Sequence, residues 1–232
     1  MDTIDQETDI RICDRKPFIY KPRDETERWK KFEKSLLNEL KNKRLTISTD
    51  GYITETNGEI CLNSYLHKKE DLSAMVGYIS HLIHRNGESV DKELDTILPL
   101  PKIIGNKQIK KYRIKRLIAG HKNSGTALHN HSRAYFMNLC GEKKWFLAQP
   151  TEKNTKILEK YRYDITDKRI DSVSKWFNEN SRNLAEELDG GEIINLQAKE
   201  SLFIPDNYFH AVLNLETTIG VAFSWKKKDQ YV

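Results

Sequence analysis

Gly125-Thr126-Ala127-Leu128-His129-Asn130-His131, answered far downstream by Phe203-Ile204-Pro205-Asp206-Asn207-Tyr208-Phe209-His210, carries the reading of this chain. In a strand alternate side chains share a face, so His129 and His131 point one way and Asn130 the other. The second stretch reads as an apolar strand, a Pro-marked turn and a single His opening another strand. Two ligands from one strand and a third from a distant strand build a three-ligand metal site in the mouth of a β-barrel. Such a site keeps coordination positions open. Three imidazoles with no cysteine among them suit Fe(II), Zn, Cu or Ni, and geometry rather than affinity selects the ion.

Working outward, strands are expected at 126–131, 133–139, 143–148, 192–197, 200–205, 209–215 and 218–225. Helices are expected at 151–161 and 173–188, the second carrying Val173, Trp176, Phe177, Leu184 and Leu188 on one stripe. Just upstream, Tyr112, Ile114, Leu117 and Ile118 are interleaved with Lys110, Lys111, Arg113, Lys115 and Arg116. That pattern predicts a half-buried strand with a basic, solvated outer face. A nucleic-acid or acidic-peptide stripe is the functional alternative for the same residues.

Nearer the start, Asp24 as N-cap, Glu27, and the stripe Trp29, Phe32, Leu36, Leu37, Leu40 predict a helix. Residues 45–68 read as short strands, with Asp50-Gly51 and Asn57-Gly58 as hairpin turns. A second helix is expected from Lys69 to Arg85 on Leu72, Met75, Val76, Ile79, Leu82 and Ile83, stopped by Asn86-Gly87. Its His81 and His84 lack the surroundings of a metal motif and read as surface or boundary residues. The two helices would buttress a β domain from outside, residues 1–108 packing on residues 109–232 as one unit.

Composition narrows the function. A chain of 232 residues buries a sizeable core and suits one domain with extensions. A net charge of +5 permits an acidic partner or a nucleic acid but falls short of a dedicated nucleic-acid binder. Cys13, Cys61 and Cys140 form an odd set without CxxC spacing, which argues against a zinc knuckle or a disulfide framework and for a reducing compartment. No secretory h-region and no membrane-length apolar run is visible, so a soluble, intracellular protein, cytoplasmic or nuclear, is expected. Nucleotide-binding and serine-hydrolase fingerprints do not occur. Cys140 reads as a buried strand cysteine, with a His-assisted nucleophile as its alternative.

Several motifs in order resemble one family. Gly125 to His131, then Gly141-Glu142-Lys143-Lys144-Trp145-Phe146-Leu147-Ala148-Gln149-Pro150, then Pro205 to Leu215 with His210, look like the core of Jumonji-C (JmjC) proteins over about residues 112–225. The resemblance implies a mainly β (α+β) chain built on a double-stranded β-helix, the cupin or jelly-roll barrel, with one helical insertion. It also implies Fe(II) and 2-oxoglutarate as cofactors. His129 and His210 match the family's metal-binding histidines, and His131 stands where a carboxylate is usual. Lys143 matches the lysine that pairs with the distal carboxylate of 2-oxoglutarate in the small hydroxylase-like branch, and Thr126 matches an assisting hydroxyl. Lys144 must point to the opposite face from Lys143.

The departures are specific. His131 makes a neutral third ligand in place of an anion, as in the small His-x-His subgroup that this chain resembles, and zinc could then replace iron. Lys199-Glu200 replaces a common Gly-Asp turn, and Ala222 and Ser224 occupy positions where relatives carry Thr and Asn. The leading expectation is an Fe(II)/2-oxoglutarate-dependent oxygenase hydroxylating a side chain of a protein or peptide substrate. The alternative is a catalytically inactive binding protein of the same fold with a structural or vestigial metal.

Overall fold

The computed structural model describes residues 2–4, 16–21, 38, 40–48, 58–61, 78–98, 113–161 and 171–225. Its strands are β1 (Asp2–Ile4), β2 (Phe18–Tyr20), β3 (Arg44–Ser48), β4 (Gly58–Cys61), β5 (Tyr78–Arg85), β6 (Glu88–Ser89) and β7 (Arg113–Gly120). They continue as β8 (Gly125–His129), β9 (Ala134–Cys140), β10 (Lys143–Ala148), β11 (Glu192–Leu196), β12 (Ser201–Ile204), β13 (Phe209–Asn214) and β14 (Thr218–Trp225). The helices are α1 (Lys92–Ile97), α2 (Glu152–Leu158) with a 3-10 turn after it, and α3 (Asp171–Glu187).

Two sheets result, with helical insertions. The larger runs β1-β2-β12-β9-β14-β7-β5-β3-β4, with β6 on β5, and is antiparallel except for the β1–β2 pair. The smaller is antiparallel in the order β11-β10-β13-β8. Strands from before and after residue 109 therefore share the larger sheet. Their faces meet: Ile118, Phe136, Leu202 and Ile204 of the large sheet pack on Trp145, Leu147, Leu196 and Val212 of the small one. Burying each such side chain contributes about 1.5–3 kcal/mol. The outer face of the small sheet is covered by α3 through Val173, Phe177 and Leu184, and by Leu188 just past its end. That of the large sheet packs its own Phe18, Leu117, Phe203 and Phe223 beneath Leu40, Leu94 and Leu98.

From residue 113 onward the expected strands and both helices are present with ends shifted by a few residues. The pairing of β3 with β4 matches the strands expected in 45–68; Asp50-Gly51 and Asn57 lie outside the described residues, and Gly58, expected in a turn, opens β4 opposite Ile47. The helix proposed from Asp24 also lies outside them apart from Asn38 and Leu40, which are helical.

The helix expected over 69–85 is corrected where it is described: Tyr78–Arg85 is strand β5, hydrogen-bonded between β3 and β7. Tyr78, Ile79 and Ile83 favour the extended state, and Ile79 and Ile83 reach the core from there. Asn86 and Gly87, at φ 50° and 91°, are the two-residue turn of the β5–β6 hairpin rather than a helix stop. His81 and His84 are held by carboxylates, Nε2 of His81 lying 2.9 Å from Asp91 and Nδ1 of His84 3.0 Å from Asp95.

The basic, solvated face of β7 is corrected as well. Lys115 is 1 % exposed and lies on the outer-core side, beneath α1. Its ammonium donates to Asp95 Oδ1 at 2.8 Å and to the carbonyls of Asp95 and Leu98. Burial opposes the Asp95 carboxylate, but the hydrogen bonds from Lys115 and His84 outweigh it and hold its pKa below the ordinary value. Asp95→Ala is expected to destabilise the fold by about 3–5 kcal/mol, read as a lowered urea midpoint, because it leaves a buried cation without its carboxylate. Arg116 points the other way, into the space between the sheets.

Candidate metal centre

β8 and β13 are neighbours in the small sheet, and their register sets His129 directly opposite His210. Gly125 makes that pairing close: a Cβ there would lie 1.8 Å from the Val212 carbonyl oxygen, so only glycine admits the approach. β8 ends at His129, and His131 follows in the extended segment that leads to β9. The ring centroids of His129 and His131 lie 5.4 Å apart, those of His129 and His210 4.2 Å, and those of His131 and His210 4.8 Å. One ring nitrogen from each lies within 4.8 Å of the other two, so the trio could hold one metal ion.

The tautomers follow from local hydrogen bonds. His129 Nδ1 lies 2.7 Å from the Ala127 carbonyl, His210 Nδ1 2.9 Å from the Tyr208 carbonyl, and His131 Nδ1 against the Ser132 carbonyl. A carbonyl can only accept, so each Nδ1 carries the proton and each Nε2 offers a lone pair. His210 is 3 % exposed, and burial, then the neighbouring His129 and His131, holds its pKa well below the usual imidazole value. His131 presents surface at the mouth, yet its ring is crowded, and that desolvation lowers its pKa against the opposing bond to Ser132. Neutral imidazoles are the ligand form.

The turn before His210 is fastened to the segment after His131. Asn207, at φ 62°, donates its backbone N–H to the His131 carbonyl at 2.8 Å. Asp206 accepts from the Arg133 backbone at 2.8 Å, from Arg133 Nε at 3.1 Å and from a terminal guanidinium nitrogen. These bonds fix the turn before His210 relative to the segment that carries His131.

The trio opens on a cavity of about 450 Å³ between the sheets. Thr126 lines it, buried, directly opposite Val212 in the β8–β13 register. Trp145 of β10 also lines it, 6.1 Å from the His210 ring, and its buried Nε1–H has no hydrogen-bond partner among the described residues. Lys143 shares the inward face of β10 with Trp145 but lies deeper, 0 % exposed. Its Nζ donates to Asn214 Oδ1 at 2.6 Å and sits 5.2 Å from the Phe136 ring centroid. Asn214 is oriented for this by donating to Ser124 Oγ at 2.9 Å, while Thr218 Oγ1 donates to the same Oδ1 at 2.8 Å. Burial pushes the Lys143 pKa down to about 7, against a raising contribution from Cys140.

The structure thus brings together His129, His131 and His210, sets Thr126 on the same cavity, and buries Lys143 beside it without making it part of the cavity wall. Cys140 ends β9, half-buried. Arg116, Trp145, Asn214 and the Arg133–Asp206 clamp were not singled out by sequence. For Arg116 the signal was present: Ile114, Arg116 and Ile118 alternate, which is one face of a strand.

No protein-family model matches the chain. Over about half its length the chain is similar to JmjC-type oxygenases. It is 32% identical over 111 residues to a protein of Drosophila melanogaster described as a 2-oxoglutarate and iron-dependent oxygenase JMJD4 homolog, covering 46% of this chain and 23% of that protein. It is 31% identical over 113 residues to the 2-oxoglutarate and iron-dependent oxygenase JMJD4 of Danio rerio, covering 46% of this chain and 25% of that protein. It is 29% identical over 120 residues to Lysine-specific demethylase JMJ21 of Arabidopsis thaliana, covering 50% of this chain and 13% of that protein. The matched stretch is a quarter or less of each relative. No helix among the described residues is long and apolar enough to cross a membrane.

Proposed function

We propose that this chain is an Fe(II)/2-oxoglutarate-dependent oxygenase of the JmjC type that hydroxylates a side chain of a protein or peptide, with a three-histidine metal site. The two facing sheets are read as a double-stranded β-helix, residues 109–232, on which residues 1–108 pack. The observation that carries the proposal is the convergence of three neutral imidazoles, from the β8 end and the β13 start, on one side of an inter-sheet cavity.

The donor set fits the cofactors. His129, His131 and His210 would hold the metal through Nε2, with positions left for exogenous ligands. Lys143 would take the distal carboxylate of 2-oxoglutarate, Thr126 would donate to it, and the Trp145 N–H faces the same cavity. A buried lysine near neutrality gains charge when a carboxylate arrives, so the contact is strong and oriented. When bound, iron and 2-oxoglutarate together supply the oxidising power for C–H hydroxylation. The chain orients the ligands, holds their tautomers and excludes water between two apolar sheet faces.

His131 favours a second reading. Three neutral ligands also suit zinc, and a barrel so loaded would be a binding module without turnover. His131→Asp separates the two. We expect it to raise Fe(II)-dependent succinate formation from 2-oxoglutarate by about tenfold or more, the scale on which changes around a metal act. If neither wild type nor variant binds or turns over 2-oxoglutarate, the oxygenase reading is lost.

A further inference from the structure

Arg116 is the one cation on the described wall of the cavity, and no Asp or Glu lines that wall. It sits on β7 between Ile114 and Ile118, its cross-strand partner on β14 being Ala222, so the large sheet supplies this side and the small sheet the histidines. Its guanidinium hydrogen bonds among the described residues run from Nη1 alone, to the carbonyl and hydroxyl of Ser80 at 3.3 and 3.4 Å. Both are long, and the Nε and Nη2 donors have no partner among the described residues. Burial, then repulsion from Arg85, lowers its pKa from the usual guanidinium value. A wall of this kind lacks its counter-anion.

We propose that Arg116 is a specificity-determining residue that pairs with a carboxylate of the substrate, so that the side chain admitted beside the metal trio belongs to an acidic peptide. This rests on the oxygenase reading for the cosubstrate's place: with Lys143 on the opposite sheet serving 2-oxoglutarate, Arg116 is left for the substrate. A planar guanidinium engages a carboxylate through two parallel hydrogen bonds, which a neutral amide cannot reproduce. A lysine or arginine side chain entering the cavity would meet Arg116 and a metal dication with no carboxylate on the described wall to offset either. Cationic substrates are disfavoured on that ground.

The test uses full-length protein loaded with Zn(II) and 2-oxoglutarate, titrated with three fluorescein-labelled peptide pools identical except for a central Asp, Asn or Lys. Wild type is expected to bind the Asp pool about 10- to 100-fold more tightly than the Asn pool, the worth of a charged hydrogen-bonded pair. Arg116→Gln should remove that preference, and Arg116→Glu should shift it toward the Lys pool. Affinity for 2-oxoglutarate itself should stay within about twofold in Arg116→Gln, on the scale of a lost distant contact. Equal binding of the three pools by wild type, undetectable binding included, overturns the proposal, as does an Asp preference that survives Arg116→Gln. A fall in 2-oxoglutarate affinity in Arg116→Gln while Lys143→Met leaves it unchanged overturns it too, by assigning Arg116 to the cosubstrate. Loss of the oxygenase reading alone looks different: 2-oxoglutarate fails to bind, while the Asp preference persists on protein loaded with Zn(II) only.

Discussion

Alanine at position 210 is expected to abolish tight metal binding. His210 is the most buried of the three ligands, opposite His129 across the β8–β13 pair, and no described Asp, Glu or Cys joins the trio. Losing an outer partner of a metal ligand typically costs about 10–100-fold in affinity, and losing a ligand of three should exceed that. Competition between the protein and a chromophoric chelator for Co(II) or Zn(II) measures it. The fold should persist, because β13 keeps its pairing to β10 and β8 and its core residues Phe209, Ala211 and Leu213. Unchanged metal affinity in a variant with wild-type circular dichroism would show that the ion sits elsewhere.

The second large effect has two opposite signs. Lys143→Met should lower affinity for 2-oxoglutarate by about 10- to 100-fold, through loss of a charge-assisted bond in a dry site. The same substitution should stabilise the unliganded protein by a few kcal/mol near pH 6, since methionine fills similar volume without a buried charge. The sign with pH is set by the depressed lysine. Below about 7 the folded chain must keep Lys143 protonated in the core, which costs stability. Between about 7 and the ordinary value of 10.5 the unfolded chain binds more protons, so wild-type stability from this group rises with pH. The advantage of Lys143→Met should therefore shrink as pH is raised across that window, read from urea midpoints at pH 6, 8 and 10. Binding of 2-oxoglutarate should weaken over the same range, because it needs the ammonium. A stability gap that does not change with pH would contradict the buried, near-neutral lysine.

The sequence was most legible after residue 113, where period-two alternation bounded by Gly, Pro and Asn turns admits little but strands. The convergence of the three histidines as a candidate metal site was legible because their spacing and the Pro205 turn repeat a recognisable order. The 69–85 stretch was not, since Leu72, Met75, Val76, Ile79, Leu82 and Ile83 satisfy a helical period as well as they do any other. Its β-branched content and the Asn86-Gly87 turn pointed to the strand that residues 78–85 form. Arg116 stayed hidden for a different reason. Adjacent Lys115 and Arg116 must face opposite sides of a strand, but which side meets the cavity depends on β5 and β14 flanking β7, both distant in sequence. Lys115 was misjudged with it, because its counter-charge sits on α1, contributed by Asp95.

Each imidazole of the trio is steadied by a carbonyl within two residues of it: Ala127 for His129, Ser132 for His131 and Tyr208 for His210. The aim of every ring is thus supported from within its own tripeptide. Chains whose metal creates the fold lose it to chelators. We expect the opposite order here: the polypeptide folds first, and an ion held by the trio is a late arrival. Cargo loaded last can be exchanged without unfolding, so the metal that such a trio would hold is expected to follow cellular supply as much as the chain.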